Sequence, residues 1–251
     1  MLTLRNVTFA ALEPEALARF WAGVVDYEVE RRRAGWAAVD RDGDGPELLF
    51  AKLPKSPTIE LPIHLDVNVP DREAEVQQQL ARGARLVSTK TEVVGELEET
   101  WTHLRDPEGN GFCIQAPDAR RPRSYIGNVT FSSAAPRRLG AFWSGALGWP
   151  EQVAPAEFLQ MLWDAGLDPA EEEAHYAARD PAGTPPRFLF QHREKSRPEH
   201  YPIHLDFLSD NREADVERLS AAGASVLETK TDAERTWTVL RDPEGNPFCV
   251  E

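Results

Sequence analysis

Cysteine is nearly absent from the chain: Cys113 and Cys249 are the only two in 251 residues. So few exclude a disulfide framework, and their matching places in two repeats argue against a mutual bond. A reducing, cytoplasmic location is the expectation. Positive charge is also scarce. With 28 Lys and Arg against 42 Asp and Glu, the formal charge is −14. That balance speaks against a nucleic-acid partner and against an anionic membrane surface, both of which need a basic face. No stretch approaches the roughly 20 apolar residues that span a bilayer. Met1–Asn6 has no basic segment leading into an apolar run, so no signal peptide is expected. What is left is 41% hydrophobic and 28% charged residues, an ordinary globular composition long enough for one or two cored domains.

What the chain does have is a repeat. Asn6-Val7-Thr8-Phe9 returns as Asn128-Val129-Thr130-Phe131, and Phe20-Trp21 as Phe142-Trp143. Pro62-Ile63-His64-Leu65-Asp66 returns as Pro202-Ile203-His204-Leu205-Asp206. The closing segment, Trp101 through Arg-Asp-Pro-Glu-Gly-Asn to Phe112-Cys113, returns from Trp237 to Phe248-Cys249. This predicts two domains, 1–118 and 123–251, joined by a Pro- and Arg-rich linker. The second copy carries an insertion around 149–174. There Phe158, Met161, Leu162 and Ala165 predict an extra helix with an acidic end at Glu171-Glu172-Glu173.

Within a copy the periodicities read strand, helix, three strands, and then the same again. Leu4–Phe9 alternates as a strand, and Pro14–Val24 places Leu17, Phe20, Trp21 and Val24 at helical spacing. Tyr27–Arg32, Trp36–Val39 and Leu48–Lys52 follow as short strands. The next module runs from strand Ile63–Val69 through a helix from Asp71 to Ala81, ended near Gly83. Strands at Arg85–Ser88, Thr100–Arg105 and Phe112–Gln115 close it, the last two joined by the Asp106–Asn110 turn.

Strand alternation assigns faces. Ile63, Leu65 and Val67 belong under the helix, which sends His64, Asp66 and Asn68 to the other side. Cys113 and Gln115, Cys249 and Glu251, and Asn6 and Asn128 fall on that side by the same parity. A concave sheet with a few convergent polar groups is the usual make-up of a small-molecule pocket. Taken singly, His64 or His204 is better explained by satisfying a neighbouring backbone or carboxylate group in a half-buried sheet. Trp101 and Trp237 either fill the sheet surface or line a cup, while Trp21 and Trp143 read as core.

With these motifs in place, the chain resembles the vicinal oxygen chelate superfamily, in its glyoxalase-like (glyoxalase, bleomycin resistance protein, dioxygenase) branch. The module order, the helix ending in Phe-Trp, the His-Leu-Asp strand and the closing Asp-Pro-Glu-Gly-Asn…Phe-Cys carry the resemblance. It implies an α+β fold of paired βαβββ modules forming cup-shaped mixed sheets, four modules in all. Each copy is then expected to fold its own two modules into one cup. Metal-dependent members place ligands on the first and last strands of each module. Here those positions fall on Asn6, His64 and Cys113, and on Asn128, His204 and Cys249. Asparagine is a poor ligand, so no metal cofactor is expected; if one binds, the set is His204, Cys249 and Glu251. The resemblance implies a small-molecule-binding protein, metal-independent, that holds or sequesters an organic metabolite or antibiotic. The alternative is a lyase, isomerase or dioxygenase of the glyoxalase type, with or without a metal, copy two being the place for one. A third reading, closed cups with a scaffolding role, rests on the insertion alone. His204, Cys249, Glu251, Gln191, Asn128 and Trp237 are expected to line the better cup, and His64, Cys113, Asn6 and Trp101 the other. The partner is a small organic ligand, and the chain a monomer or homodimer.

Overall fold

The computed structural model describes residues 1–41, 43, 45–54, 62–94, 97–115, 123–152, 160, 163–164, 176–193 and 201–251. The helix expected from Phe158, Met161, Leu162 and Ala165, and the acidic run after it, lie outside the described residues.

The first module comprises β1 (Thr3–Ala10), α1 (Pro14–Val25), β2 (Glu28–Arg32), β3 (Gly35–Val39) and β4 (Glu47–Ala51). The second comprises β5 (Ile63–Asn68), α2 (Arg72–Ala81), β6 (Arg85–Val94), β7 (Leu97–Arg105) and β8 (Gly111–Gln115). The third is β9 (Tyr125–Ser133), α3 (Pro136–Leu147), β10 (Glu151–Gln152), β11 (Tyr176–Ala178) and β12 (Arg187–His192). The fourth is β13 (Ile203–Leu208), α4 (Arg212–Ala221), β14 (Ser225–Thr231), β15 (Thr236–Arg241) and β16 (Pro247–Val250). The paired-module α+β fold is therefore present, and among the described residues no helix is long and apolar enough to cross a membrane.

Local chemistry explains the element ends. The Asp71 carboxylate accepts from the Ala74 amide at 3.0 Å, starting α2, and Gly83 follows the helix at φ +100°, where a side chain would be strained. The β6–β7 hairpin runs further than the expected strands Arg85–Ser88 and Thr100–Arg105. Threonine pairs zip its outer part, Thr89 with Thr102 at 3.0 Å and Thr91 with Thr100 at 2.9 Å.

The order of strands departs from expectation. One sheet runs β14-β15-β16-β13-β1-β4-β3-β2, and the other β10-β11-β12-β9-β5-β8-β7-β6. Each cup thus joins a module of one copy to a module of the other. The seams are the antiparallel pairs β1–β13, with Thr8 opposite His204, and β5–β9, with His64 opposite Thr130. The two modules of a single copy meet instead through their helix-covered faces. Phe20 and Trp21 of α1 pack on Phe112 of β8 at ring separations of 6.0 and 5.0 Å. Trp143 of α3 packs on Phe207 and Phe248 at 5.3 and 5.1 Å. These apolar faces merge into one buried aromatic core, and the polar faces are left to form the cups.

The repeated Asp-Pro-Glu-Gly-Asn turn ties the modules of a copy together. Asp106 accepts from the Trp21 indole at 3.0 Å, and Asp242 from that of Trp143 at 3.2 Å. Glu108 accepts from the Leu12 and Glu13 amides, both at 2.8 Å, just ahead of α1. α1 has no side-chain cap of its own, so the next module supplies the carboxylate that its N-terminus favours. Gly109 sits in the turn at φ +90°.

Candidate functional site

Each cup is centred on an aspartate two residues after a histidine on the same strand. On β5, Asp66 lies opposite Asn128 of β9 and beside Cys113 of β8. Its Oδ2 accepts from Asn128 Nδ2 at 2.8 Å and from Thr130 Oγ1 at 2.6 Å. Its Oδ1 lies 3.3 Å from His64 Nε2. Arg187 on β12 in turn donates through Nε to Asn128 Oδ1. The other cup repeats the plan. Asp206 lies opposite Asn6 and beside Cys249, accepts from Thr8 Oγ1, and has Oδ1 3.5 Å from His204 Nε2. In each of the sets His64, Asp66, Cys113 and His204, Asp206, Cys249, one donor atom per residue falls within 4.8 Å of the others.

Electrostatics follow from burial and these partners. Burial alone would push Asp66 up; hydrogen bonds from His64, Thr130 and Asn128 outweigh it and hold the carboxyl below its ordinary range. Asp206 is lowered against burial in the same way, by His204, Thr8 and Cys249. Burial and the neighbouring aspartate drive both thiols up, so Cys113 and Cys249 are protonated in the metal-free cups. Burial, then His64, Arg105 and Arg193, push His103 down to about 4. His103 is therefore a neutral imidazole at physiological pH. It stands on β7 directly across from Cys113.

A depressed aspartate stabilises the fold above its unfolded pKa, near 3.9, and loses that contribution as pH falls through the folded value. Denaturation at pH 6 should therefore give higher stability than at pH 3. In Asp66→Asn that dependence should be shallower; an unchanged slope would show that Asp66 is not among the carboxylates responsible.

The sequence-derived residues divide between the cups differently from expectation. Asn128 and Gln191 are expected beside His204, but both stand in the sheet that holds His64, because β9 pairs with β5 and β12 pairs with β9. The cup around His64 contains His64, Cys113, Trp101, Asn128 and Gln191, the last with a buried Oε1 that has no partner among the described residues. His204, Cys249, Glu251, Trp237 and Asn6 share the other. Glu251 is drawn off by Arg5 at 2.6 Å and by Arg235, which also stacks over Trp237 at 5.2 Å. The third member of that cluster is thus Asp206 in place of Glu251. Asp66, Asp206 and His103 belong to these sites without being among the residues expected from the sequence. The His-x-Asp spacing and the Trp101, His103, Arg105 alternation beside Cys113 were the available signals.

A cavity of about 300 Å³ opens over the first cluster. Buried His64 and Cys113 line it together with His103, Trp101, Lys90 and Arg193. A second hollow of about 200 Å³ lies along the same sheet, beside Asn128 and Arg187.

Paired βαβββ modules around polar-floored cups define the vicinal oxygen chelate architecture. The glyoxalase-like domain model matches residues 6–115 and again 128–251, and the chain belongs to that family. The fold is similar to that of glyoxalase I from Zea mays, at TM-score 0.66 and 12% identity over 100% of this chain and 92% of that one. It is also similar to a putative dioxygenase from Bacillus subtilis, at TM-score 0.61 and 12% identity over 98% and 84% of the two chains. No curated protein sequence matches the chain.

Proposed function

We propose that the chain is an enzyme of the glyoxalase–dioxygenase type acting on a small organic molecule, with each His-Asp-Cys cluster holding a divalent metal. The observation that carries this is the recurrence of the same three donors, within 4.8 Å of one another, at the same place in both cups. Tetrahedral bonds of about 2.0–2.3 Å hold neighbouring donors roughly 3.3–3.8 Å apart. The His–Asp separations of 3.3 and 3.5 Å fall in that interval. Asp66 directs one oxygen at the histidine while Asn128 and Thr130 hold the other. That division suits a ligating carboxylate, whose free oxygen is normally fixed by outer donors. A bound cation would favour the thiolate over the protonated thiols of Cys113 and Cys249.

When bound, such an ion supplies Lewis acidity toward a carbonyl or a water molecule. The chain's own groups do the rest. Asn128 and Thr130 orient Asp66. The neutral His103, across from Cys113, offers a hydrogen-bonding imidazole beside the cluster, and Trp101 offers an apolar wall in the same cavity. Elemental analysis after reconstitution with zinc, nickel or iron tests the reading. Two ions per chain are expected, one in either His64→Ala or His204→Ala, and none in the double variant. Failure of the wild-type chain to retain any ion would overturn it.

One observation favours a second reading, metal-independent binding or sequestration of a metabolite or antibiotic. Asp66 already has Asn128, Thr130, His64 and Cys113 as partners, so the cluster is satisfied without a cation. Ligand binding by a chain that retains no metal would select it.

A further inference from the structure

The two cups share a cluster but not its surroundings. Lys230 is neutralised by Glu228 at 2.8 Å in the His204 cup, whereas the residue matching Glu228 beside the His64 cavity is Ser88. Both stand just after the same strand irregularity, Ser88 opposite His103 and Glu228 opposite Val239. Lys90, which matches Lys230, therefore has no carboxylate partner among the described residues. Arg193, just past β12, also makes no ion pair among them, and it matches Leu53 just past β4. In an acidic chain whose other cup pairs Lys230 with Glu228 and Arg235 with Glu251, two rim cations without a carboxylate partner among the described residues are a distinct arrangement. They are exposed, while the floor of His64 and Cys113 is buried. The cavity, about 300 Å³, is at the lower end of ligand-pocket sizes.

We propose that the His64 cup takes a small organic anion, its carboxylate or phosphate end held between Lys90 and Arg193 and its apolar body against Trp101. The His204 cup, with Lys230 and Arg235 paired and Leu53 in the place of Arg193, lacks this preference. The anionic end is anchored at the rim, so the opposite end of the molecule reaches the His64, Asp66 and Cys113 floor. A guanidinium offers a planar fork for two oxygens, and an ammonium adds a point charge; the pair suits either oxyanion. The inference deepens the enzymatic reading and rests on it for which end of the ligand reacts.

Calorimetric titration of the full chain with phenylacetate, phenyl phosphate and the neutral 2-phenylethanol tests it. At least one acid is expected to bind saturably at one site, at least about 10-fold more tightly than the alcohol, and more weakly as salt rises. The tighter of the two acids identifies carboxylate or phosphate as the anchor. Lys90→Gln/Arg193→Gln should lose about 10-fold or more in affinity for that acid, while Lys230→Gln stays within about 2-fold. Both replaced side chains are exposed, so folding is preserved. Absence of saturable binding by either acid, equal binding of the alcohol, or an equal loss in Lys230→Gln would overturn the inference. Metal content measured on the same samples separates the two readings. Anion selectivity without metal leaves this inference standing and removes the metal, and metal retention through His64 without charge preference does the reverse.

Discussion

Asp106→Ala is expected to lower the stability of the chain by about 3–5 kcal/mol, and its thermal midpoint by roughly 6–20 °C. Asp106 is completely buried. Its Oδ1 accepts from the backbone amides of Glu108 and Asn110, both at 2.9 Å. Its Oδ2 accepts from Asn110 Nδ2 at 2.6 Å and from the Trp21 indole at 3.0 Å. Alanine would strand four donors where water has little access, and each buried unsatisfied donor costs about 1–3 kcal/mol before relaxation. The loss would propagate, because the same turn presents Glu108 to the α1 N-terminus. Glu108→Gln should cost far less, about 0.5–1 kcal/mol, since only the charge facing the helix end is removed. Chemical denaturation of both variants checks the order. Equal losses would show that the cap, and not the buried aspartate, holds the modules of a copy together.

Separating the copies should have an equally large effect, read as a change of assembly state. Residues 1–118 produced alone would expose both β1 and β5, which are central strands in the intact sheets. Unpaired central strands are templates for pairing. The two modules of the copy remain joined through Phe20, Trp21 and Phe112, so the fragment keeps its aromatic core. We expect it to form a closed two-fold dimer in which β1 of each protomer pairs with β5 of its partner, rebuilding two identical cups. Mixed with residues 123–251, it should exchange into a heterodimer with the cups of the intact chain. Light scattering and native mass spectrometry read both outcomes. A folded, monodisperse monomer of 1–118 at high concentration would contradict the seam.

The extent to which each of these features was legible in the sequence follows from how local its cause is. The element order, the helix starts at Pro14 and Asp71 and the closing turns all appear close to where periodicity and capping residues place them. Neighbouring residues decide such features. The grouping of His64 with Cys113, and of His204 with Cys249, came from parity along single strands, and the structure brings both pairs together. The β6–β7 hairpin exceeds its expected strands because its outer half is held by polar threonine pairs, which leave no apolar pattern. Asp66 and Asp206 were visible on the polar face, yet only three-dimensional contact shows that Asn128, Thr130 and Thr8 converge on them.

The sequence by itself determined the repeat, the strand–helix order of all four modules, and which side chains leave the helix-covered face. Only the tertiary structure decided which modules share a cup. β5 and β13 carry nearly the same residues, and so do β1 and β9, so no local pattern distinguishes β1–β5 pairing from β1–β13 pairing. The choice is made by the Phe-Trp helices, which bury their rings against the closing strand of the same copy and so turn its two polar faces apart. Asn128 and Gln191 thereby join His64, and Asn6 joins His204. The same non-local step brings Arg193 of the third module beside Lys90 of the second around one cavity, while Leu53 takes the place of Arg193 in the other sheet.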